Sequence, residues 1–397
     1  MKKSLLTCLF ILLFSCIALA DAPYHIGVLT STLSQSEEPV RGAEQLIKQY
    51  GKVSEGGMIN HLTYPDQFGA EMETTISLLV SFTDDPLMKA VVINPGQEGT
   101  IEAFRRVREL RPEILIFASY PQEDPTQVSG VADLSLGLDT LSRGYLSVVQ
   151  AKMLGADTVV FATFPRHMSY ELLSRMRDIM RVASEEMGLK FVSVGVQDPA
   201  SDAGVSAAQQ YIIEKFPSWI DEYGEKAAFF TTNTALHEPL IRQVAMIGGI
   251  YIEGDTASPI LGYPGALGIE FAEEEKGDWQ KLNAKVEEKV VSMGASGRMS
   301  NWVYGPYFSF GAALGEHARR VIDGESELLD KNDIFDALAM YTPGASWNNS
   351  YYVDADGIER ENFLLLYADT YVYGKGYLNL TSMEIPEKYY DVNIGKN

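Results

Sequence analysis

The chain has 397 residues, of which 46% are hydrophobic, 11% aromatic and 22% charged. This composition excludes the disordered and fibrous classes, and the length suffices for two or three domains or one large two-lobed body. Because 54 acidic residues outnumber 32 basic ones, giving a net charge of −22, the surface repels phosphate backbones and we expect no nucleic-acid partner.

The first twenty residues have the three zones of an export signal. Lys2 and Lys3 precede an apolar stretch over 5–14, and small residues follow. No later segment reaches the roughly 20 apolar residues of a membrane span, so we expect an exported, periplasmic or extracytoplasmic chain without a transmembrane helix in its mature form. Both cysteines, Cys8 and Cys16, lie in this leader, which leaves the body no thiol for a disulfide or a metal.

Two processing sites compete at the end of the leader. The tripeptide ALA before Asp21 has the A-x-A form of ordinary signal cleavage. The residues LFSC, which end at Cys16, resemble a lipobox that would leave this cysteine acylated and the protein anchored to a membrane. We favour cleavage after Ala20, because Phe14 is bulky for a lipobox.

From Tyr24 onward, short β-rich runs alternate with longer amphipathic ones. The candidate strands of this first part are YHIGVLT, MINHLTY, AVVIN and ILIFAS, with helices predicted over 71–82 and 100–110 between them. The alternation resumes after Leu136 with the strands TVVFAT, KFVSVGV, AAFFTT and GIYIE and with helices near 140–154, 169–187 and 203–216. The pattern predicts an α/β fold of two parallel-sheet lobes joined by multiple hinge crossings.

The last part of the sequence differs. A charged helix is predicted over 273–291, an apolar and aromatic run follows over 302–322, and the Tyr-rich tail contains SYYVDADGIERENFLLLY, which is typical of a hairpin with Asp356-Gly357 at its turn. We therefore expect a signal peptide over 1–20, an N-terminal lobe over 21–136 with about 298–322, a C-terminal lobe over 137–297, and a C-terminal extension over 323–397.

The predicted strands are followed by loops rich in hydroxyl, amide and aromatic groups. Ligands of parallel α/β lobes bind beyond the carboxyl ends of the strands, although the same residue types also cap helices and form turns. In the first lobe the candidate ligand-binding residues are Ser34, Gln35, Tyr64, Asn94, Gln97, Tyr120 and Gln122.

The second lobe adds a loop with a cation and an imidazole, Arg166 and His167, before a helix for which Ser169 is the predicted N-cap. Such a pair could hold an anionic or hydroxyl-rich ligand. Three further candidates occupy equivalent strand-end positions, namely Asp198, Asn233 and Asp255.

The aromatic run of Trp302, Tyr304, Tyr307, Phe308 and Phe310 could stack on a ligand, but a buried core is the interpretation we favour.

No motif supports catalysis or a cofactor. The five histidines have no metal-binding spacing, and neither a P-loop nor a G-x-S-x-G elbow is present. The glycines over 262–268 do not match a dinucleotide fingerprint and favour a hinge, as do 136–139 and 294–298. We therefore expect no catalytic residue, no metal and no cofactor.

The leader, the two successive α/β lobes and the polar strand-end loops resemble a type I periplasmic solute-binding protein. More closely, SQSEEPVRGAEQLI, TYPDQFGAEMETTIS, FPRHMSYELLSRMRDIM and GYPGALGIEF resemble an uncharacterised bacterial family of secreted proteins and lipoproteins with that fold. The resemblance, which runs from Tyr24 to about Ile322, implies a Venus-flytrap architecture with Asp139 near the hinge, and with Asn233 and Asp255 where relatives often place ligand groups.

The resemblance suggests a non-enzymatic receptor that captures a small polar solute, a sugar, nucleoside or organic acid, for the permease of an ABC importer. Two alternatives stay open. A sensing receptor would bind its ligand in the same way and dock on a membrane signalling partner, and a secreted hydrolase would act on a substrate in the cleft.

Overall fold

The computed structural model describes residues 22–199, 201–254, 256, 258–354 and 356–392. The predicted leader, with both processing sites, and Asp255 lie outside the described residues. The first lobe begins with the strands and helices β1 (His25–Thr30), α1 (Glu37–Tyr50), β2 (Ile59–Thr63), α2 (Met72–Ser81), β3 (Met88–Asn94), α3 (Thr100–Leu110), β4 (Leu115–Ser119), α4 (Pro125–Ser129) and β5 (Leu134–Leu138).

The second lobe follows without a linker. Its elements are α5 (Thr140–Met153), β6 (Thr158–Thr163), α6 (Pro165–Met168), α7 (Glu171–Glu186), β7 (Lys190–Gly195), α8 (Gly204–Tyr223), β8 (Ala227–Thr231), α9 (His237–Ile247), β9 (Ile250–Tyr251), α10 (Tyr263–Leu267) and α11 (Trp279–Ser292). The remaining elements are β10 (Ser300–Asn301), α12 (Pro306–Ile322), α13 (Lys331–Tyr341), β11 (Trp347–Val353), β12 (Glu359–Ala368), β13 (Tyr371–Val372) and β14 (Gly376–Tyr377).

Each lobe is built on its own sheet. The first sheet has seven strands in the order β11-β12-β5-β4-β3-β1-β2, and the second has four in the order β7-β6-β8-β9. All neighbours in these two sheets pair in parallel except β11 and β12. The predicted α/β class with two parallel-sheet lobes is confirmed.

The helices cover both faces of these sheets because their apolar residues repeat at helical spacing. In α3, Phe104 and Val107 are buried in the core, whereas Arg106 lies outside and pairs with Glu102 one turn earlier, its Nε 2.8 Å from Oε1. The central strands β3 and β6 are apolar on both faces and buried over nearly their whole length, as parallel strands between helices are.

The C-terminal strands extend the sheet of the first lobe. β12 pairs in parallel with β5, with Phe363 opposite Ser135, and β11 returns antiparallel beside it. Between them the Asp354 carboxylate accepts N–H groups of Asp356 and Ile358 and pairs with Arg360. The Asp354 carboxylate therefore stabilises the turn between the two strands.

The chain passes from the first sheet to the second after β5. A small third sheet has the order β10-β13-β14, and the chain runs from β10 of this sheet to α12 on the first lobe and from β12 of the first sheet into β13. At the first passage Asp139 is buried and caps α5, because its Oδ1 accepts the Ser142 N–H at 2.9 Å while Oδ2 accepts the Ser350 hydroxyl at 2.8 Å. The glycine-rich segment is not a crossing, so that hinge prediction is wrong. It forms α10, which packs on α9 inside the second lobe, where Arg242 donates to the Gly265 carbonyl at 2.8 Å.

Candidate functional site

A cleft of about 480 Å³ lies between the two lobes at the carboxyl ends of β4, β5, β6 and β8. This is the edge at which open parallel sheets bind ligands. Among the described residues its lining comprises Tyr120, Pro121, Gln122, Glu123, Asp124, Pro125, Gly137, Leu138, Thr140, Arg166, His167, Ser169, Tyr170, Glu171, Leu172, Leu173, Thr232, Asn233, Thr234, Thr256, Tyr307, Phe363 and Leu365.

The first-lobe wall is mainly aromatic and aliphatic. Tyr120 directly follows β4 with a φ of 44°, in the left-handed region, and its N–H donates to the Leu136 carbonyl at 2.6 Å. Its ring meets that of Tyr307 edge to face, with 5.1 Å between centroids. Phe363 and Leu365, both 2% exposed, complete this wall from β12.

The second-lobe wall carries the cation predicted from the sequence. The Arg166 guanidinium forms a two-pronged pair with Asp198, from Nε to Oδ2 and from Nη2 to Oδ1, both at 2.8 Å. Its Nη1 also donates to the Tyr170 hydroxyl at 3.1 Å. Asp198 is not itself part of the cleft lining, but it binds the guanidinium that is.

The prediction that Ser169 caps the following helix is wrong. The residues before it form the short helix α6, and the Ser169 hydroxyl donates backwards to the Arg166 carbonyl at 2.6 Å. Helix α7 begins two residues later, and its N-cap position is Tyr170. Pro165 at the first position of α6 favours this earlier turn, because its fixed φ suits a helix start.

His167 lies buried beside Arg166 and faces the end of β8. Its Nδ1 is 3.0 Å from Oγ1 of Thr232, whose hydroxyl is 3.1 Å from that of Thr163. Burial, with the neighbouring guanidinium, lowers the pKa of His167 to about 4. The imidazole is therefore neutral at pH 7 and offers the cleft a hydrogen-bonding ring without charge.

Asn233 and Thr256 add polar groups from the second lobe. The Asn233 side-chain oxygen accepts the Ala235 N–H at 3.0 Å and so caps the turn that leads into α9. Thr256 is 1% exposed, and its hydroxyl has no hydrogen-bond partner within the described part of the chain. A buried hydroxyl without a partner is costly, so a ligand atom that bonds to it would recover that energy.

Three first-lobe candidates are buried and are not part of the cleft lining. Asn94 is buried and ties two elements together, since its Nδ2 donates to the Tyr307 carbonyl at 2.7 Å and its Oδ1 accepts the Ser119 hydroxyl at 2.8 Å. Tyr64 and Gln97 form a second buried pair, with the Gln97 amide 3.4 Å from the Tyr64 hydroxyl. Burial raises the pKa of Tyr64.

Two other candidates, Ser34 and Gln35, are exposed on the loop after β1 and bind the next loop. The Ser34 hydroxyl donates to Oδ2 of Asp66 at 2.7 Å, and the Gln35 amide donates to the Asp66 carbonyl at 3.0 Å. Of the sequence candidates, the structure brings together in the cleft wall Tyr120, Gln122, Arg166, His167 and Asn233. A ligand contact for any of them stays a prediction.

Sequence reasoning missed Glu38, a carboxyl that joins the lobes. It is 3% exposed and lies beside the Tyr307 and Phe308 N–H groups at the start of α12 and beside Ser258 of the second lobe, while its Oε2 has no hydrogen-bond partner among the described residues. Burial raises the pKa of Glu38 to about 7. Its position after Glu37 at a helix start gave no signal, since acids are common there.

The β12 residues of the cleft were also missed, because nothing local in the sequence indicates that a strand more than 200 residues away joins β5. Within the described ranges, no cluster of three or more His, Cys, Asp or Glu side chains is arranged to hold a metal ion. None of the described helices is both long and apolar enough to span a bilayer.

The family model "Protein of unknown function (DUF3798)" matches residues 24–300, and a second family model matches 311–392. Two proteins of Treponema pallidum (strain Nichols), both described as uncharacterized, are similar in sequence. One is 39% identical, over 45% of this chain and 81% of its own length. The other is 32% identical, over 56% of this chain and 100% of its own length.

Two crystal structures share the fold. A protein of Clostridium difficile 630 described as a transcriptional regulator has a TM-score of 0.76 at 20% identity and covers 88% of this chain and 99% of its own. The substrate-binding protein of a sugar ABC transport system from Bordetella parapertussis 12822 has a TM-score of 0.53 at 11% identity and covers 94% of each chain. The chain has the type I periplasmic solute-binding fold and belongs to the DUF3798 family.

Proposed function

We propose that the protein is an extracytoplasmic receptor that captures one small polar molecule between its lobes and delivers it to an ABC importer. The observation that carries this proposal is the cleft of about 480 Å³, placed between the sheets and lined from both lobes. Its volume lies in the range of small-molecule sites, roughly 300 to 1,000 Å³. The export leader predicted from the sequence supports the location, and the transport role named for the Bordetella structure supports the partner.

The two walls suit capture better than chemistry. Aromatic and aliphatic side chains of one lobe can cover the apolar face of a ligand, while hydroxyl, amide and imidazole groups of the other bind its polar edge. His167 faces the cleft from α6, where its hydrogen-bond partner among the described residues is a threonine hydroxyl, and its lowered pKa makes it a poor base at pH 7.

Mass spectrometry of small molecules released from natively purified protein tests the proposal. We expect one compound at close to one molecule per chain, and we expect it to be absent from Thr234→Trp, which places an indole in the cleft wall. Thr74→Trp is the matched control, because this threonine is exposed on α2 and is not part of the cleft lining. Equal recovery from both variants, or release of a chemically altered product, would contradict capture in the cleft.

A sensing receptor is the second candidate, and the Clostridium difficile structure described as a transcriptional regulator favours it. Binding in the cleft would be the same, but the ligand-bound form would dock on a signalling partner. Reconstitution with the candidate permease decides between them, since ligand-dependent stimulation of ATP hydrolysis supports import and its absence supports sensing.

A further inference from the structure

Among the described residues, the ionised side chains that line the cleft all have hydrogen-bond or ion-pair partners. Arg166 is the cation, and its Nε and Nη2 are taken by Asp198 at 2.8 Å, while its Nη1 donates to the Tyr170 hydroxyl at 3.1 Å. A guanidinium already paired in this way gains little from a second carboxylate or phosphate, which would have to approach Asp198 closely. Its remaining N–H groups can still donate to neutral hydroxyl or carbonyl oxygens.

The acidic side chains of the lining are engaged as well. Glu123 accepts two backbone N–H groups at the start of α3, with Oε1 3.0 Å from Gly99 N and Oε2 2.7 Å from Ile101 N. Asp124 accepts the Gln127 N–H at 2.9 Å. These carboxylates serve helix starts, where the dipole stabilises them.

The third lining acid is paired within its own helix. The Glu171 Oε1 lies 3.2 Å from Nη1 of Arg175. With His167 neutral at pH 7, the described lining therefore presents no ionised group that a charged ligand would newly neutralise. Three carboxylates near the cleft add a field that opposes anions in particular.

The first-lobe wall is complementary to an apolar surface on the ligand. Tyr120 and Tyr307, which meet edge to face at 5.1 Å, stand beside the buried side chains of Phe363 and Leu365. Most polar side chains of the described lining come from the other lobe. The two sides of the cleft therefore complement a molecule with one apolar face and one hydroxyl- or amide-bearing edge.

We propose that the cleft takes an uncharged ligand with one apolar face, and that Asp198 sets this selectivity by neutralising Arg166 in advance. The inference rests on the proposed function and narrows it, since it excludes organic acids, phosphorylated sugars and amino acids. Asp198 is a specificity-determining residue here, because it acts on the ligand through the guanidinium of Arg166.

Inorganic sulfate is the probe for this inference, because it needs an unpaired cation and no knowledge of the natural ligand. Thermal shifts are measured against sulfate, with sodium chloride at equal ionic strength as the reference. We expect no sulfate-specific shift for the wild type. Asp198→Asn, which keeps the side-chain shape, should bind sulfate at least about tenfold more tightly, the effect of one hydrogen bond to a charged group.

The double variant Asp198→Asn/Arg166→Ala should lose the gain, which places the sulfate at Arg166. Sulfate binding by the wild type that Arg166→Ala removes would overturn the inference, as would the absence of a gain in Asp198→Asn. The compound recovered by mass spectrometry gives an independent result. Recovery of a compound with a net charge at pH 7 would overturn the proposed selectivity for uncharged ligands but not the proposal of capture. Failure to recover any compound would count against the proposed function, and the sulfate comparison would remain valid.

Discussion

The two walls of the cleft differ in how they are anchored. The apolar part of the first-lobe wall consists of side chains that also belong to the core, such as Phe363 in β12 and Leu138 in β5, each 2% exposed. The second-lobe wall consists mainly of polar side chains on loops and near helix starts, of which Arg166 is 39% exposed. Substitutions in the apolar first wall should therefore destabilise the fold, because they also alter the core. Substitutions in the second wall can change the chemistry of the cleft without disturbing the core.

The largest expected effect is on stability and concerns the first wall. Phe363→Ala should destabilise the protein by about 3 to 5 kcal/mol, because it removes a buried ring that packs against Tyr352 at 5.6 Å. Thr234→Ala on the second wall should stay within about 0.5 kcal/mol. Urea unfolding of both variants measures the difference, and similar losses would mean that the walls are anchored alike.

The next effect concerns the carboxyl that joins the lobes. Because the pKa of Glu38 is about 7 in the folded protein and near 4.5 when unfolded, its contribution is fully favourable below pH 4.5 and is lost as the pH rises through 7. The loss amounts to about 3 kcal/mol. The wild type should therefore lose stability relative to Glu38→Gln between pH 4.5 and 8.

Urea unfolding of both proteins across this pH range gives the comparison directly, since the titration of other groups cancels in the difference. Glu37→Gln is the matched control, because Glu37 precedes Glu38 on α1 and its carboxylate pairs with Arg41 at the surface, at 2.8 Å. A difference between wild type and Glu38→Gln that does not vary with pH would contradict the assigned burial of this carboxyl.

At the second wall we expect a small effect on stability and a larger effect on ligand binding. Arg166→Ala should weaken binding of the recovered compound by about 1.5 to 3 kcal/mol through loss of a charged hydrogen-bond donor. Stability should change by less than about 1 kcal/mol, since the pair with Asp198 is partly exposed. Calorimetry measures the affinity, with Arg181→Ala on α7, which pairs with Glu185 at 3.3 Å, as the control. Unchanged affinity with reduced stability would assign Arg166 to the fold.

The second wall could be predicted from the sequence because its strands end in local polar loops. Arg166, His167 and Asn233 each follow a strand whose apolar run is plain, and the parallel sheet brings these ends together. The same reasoning selected Asn94 and Gln97, but Asn94 is buried where α12 packs on β3, and Gln97 is buried beside Tyr64.

The first wall could not be predicted, because it depends on chain segments that meet only in the folded protein. Tyr307 reaches the cleft at the start of α12, and Phe363 and Leu365 reach it through the pairing of β12 with β5. Their sequence pattern predicts a hairpin strand, and it holds no information about the partner strand. The fold class followed from periodicity, whereas this half of the site depended on long-range register.

Small-angle X-ray scattering tests most directly the central claim that the lobes close around a small molecule. The protein is stripped of its ligand by unfolding and refolding, and its radius of gyration is compared with and without the recovered compound at saturation. We predict a smaller radius with ligand, because the few residues that join the lobes after β5, β10 and β12 permit hinge closure. An unchanged radius at proven saturation would contradict capture by closure, however tight the binding.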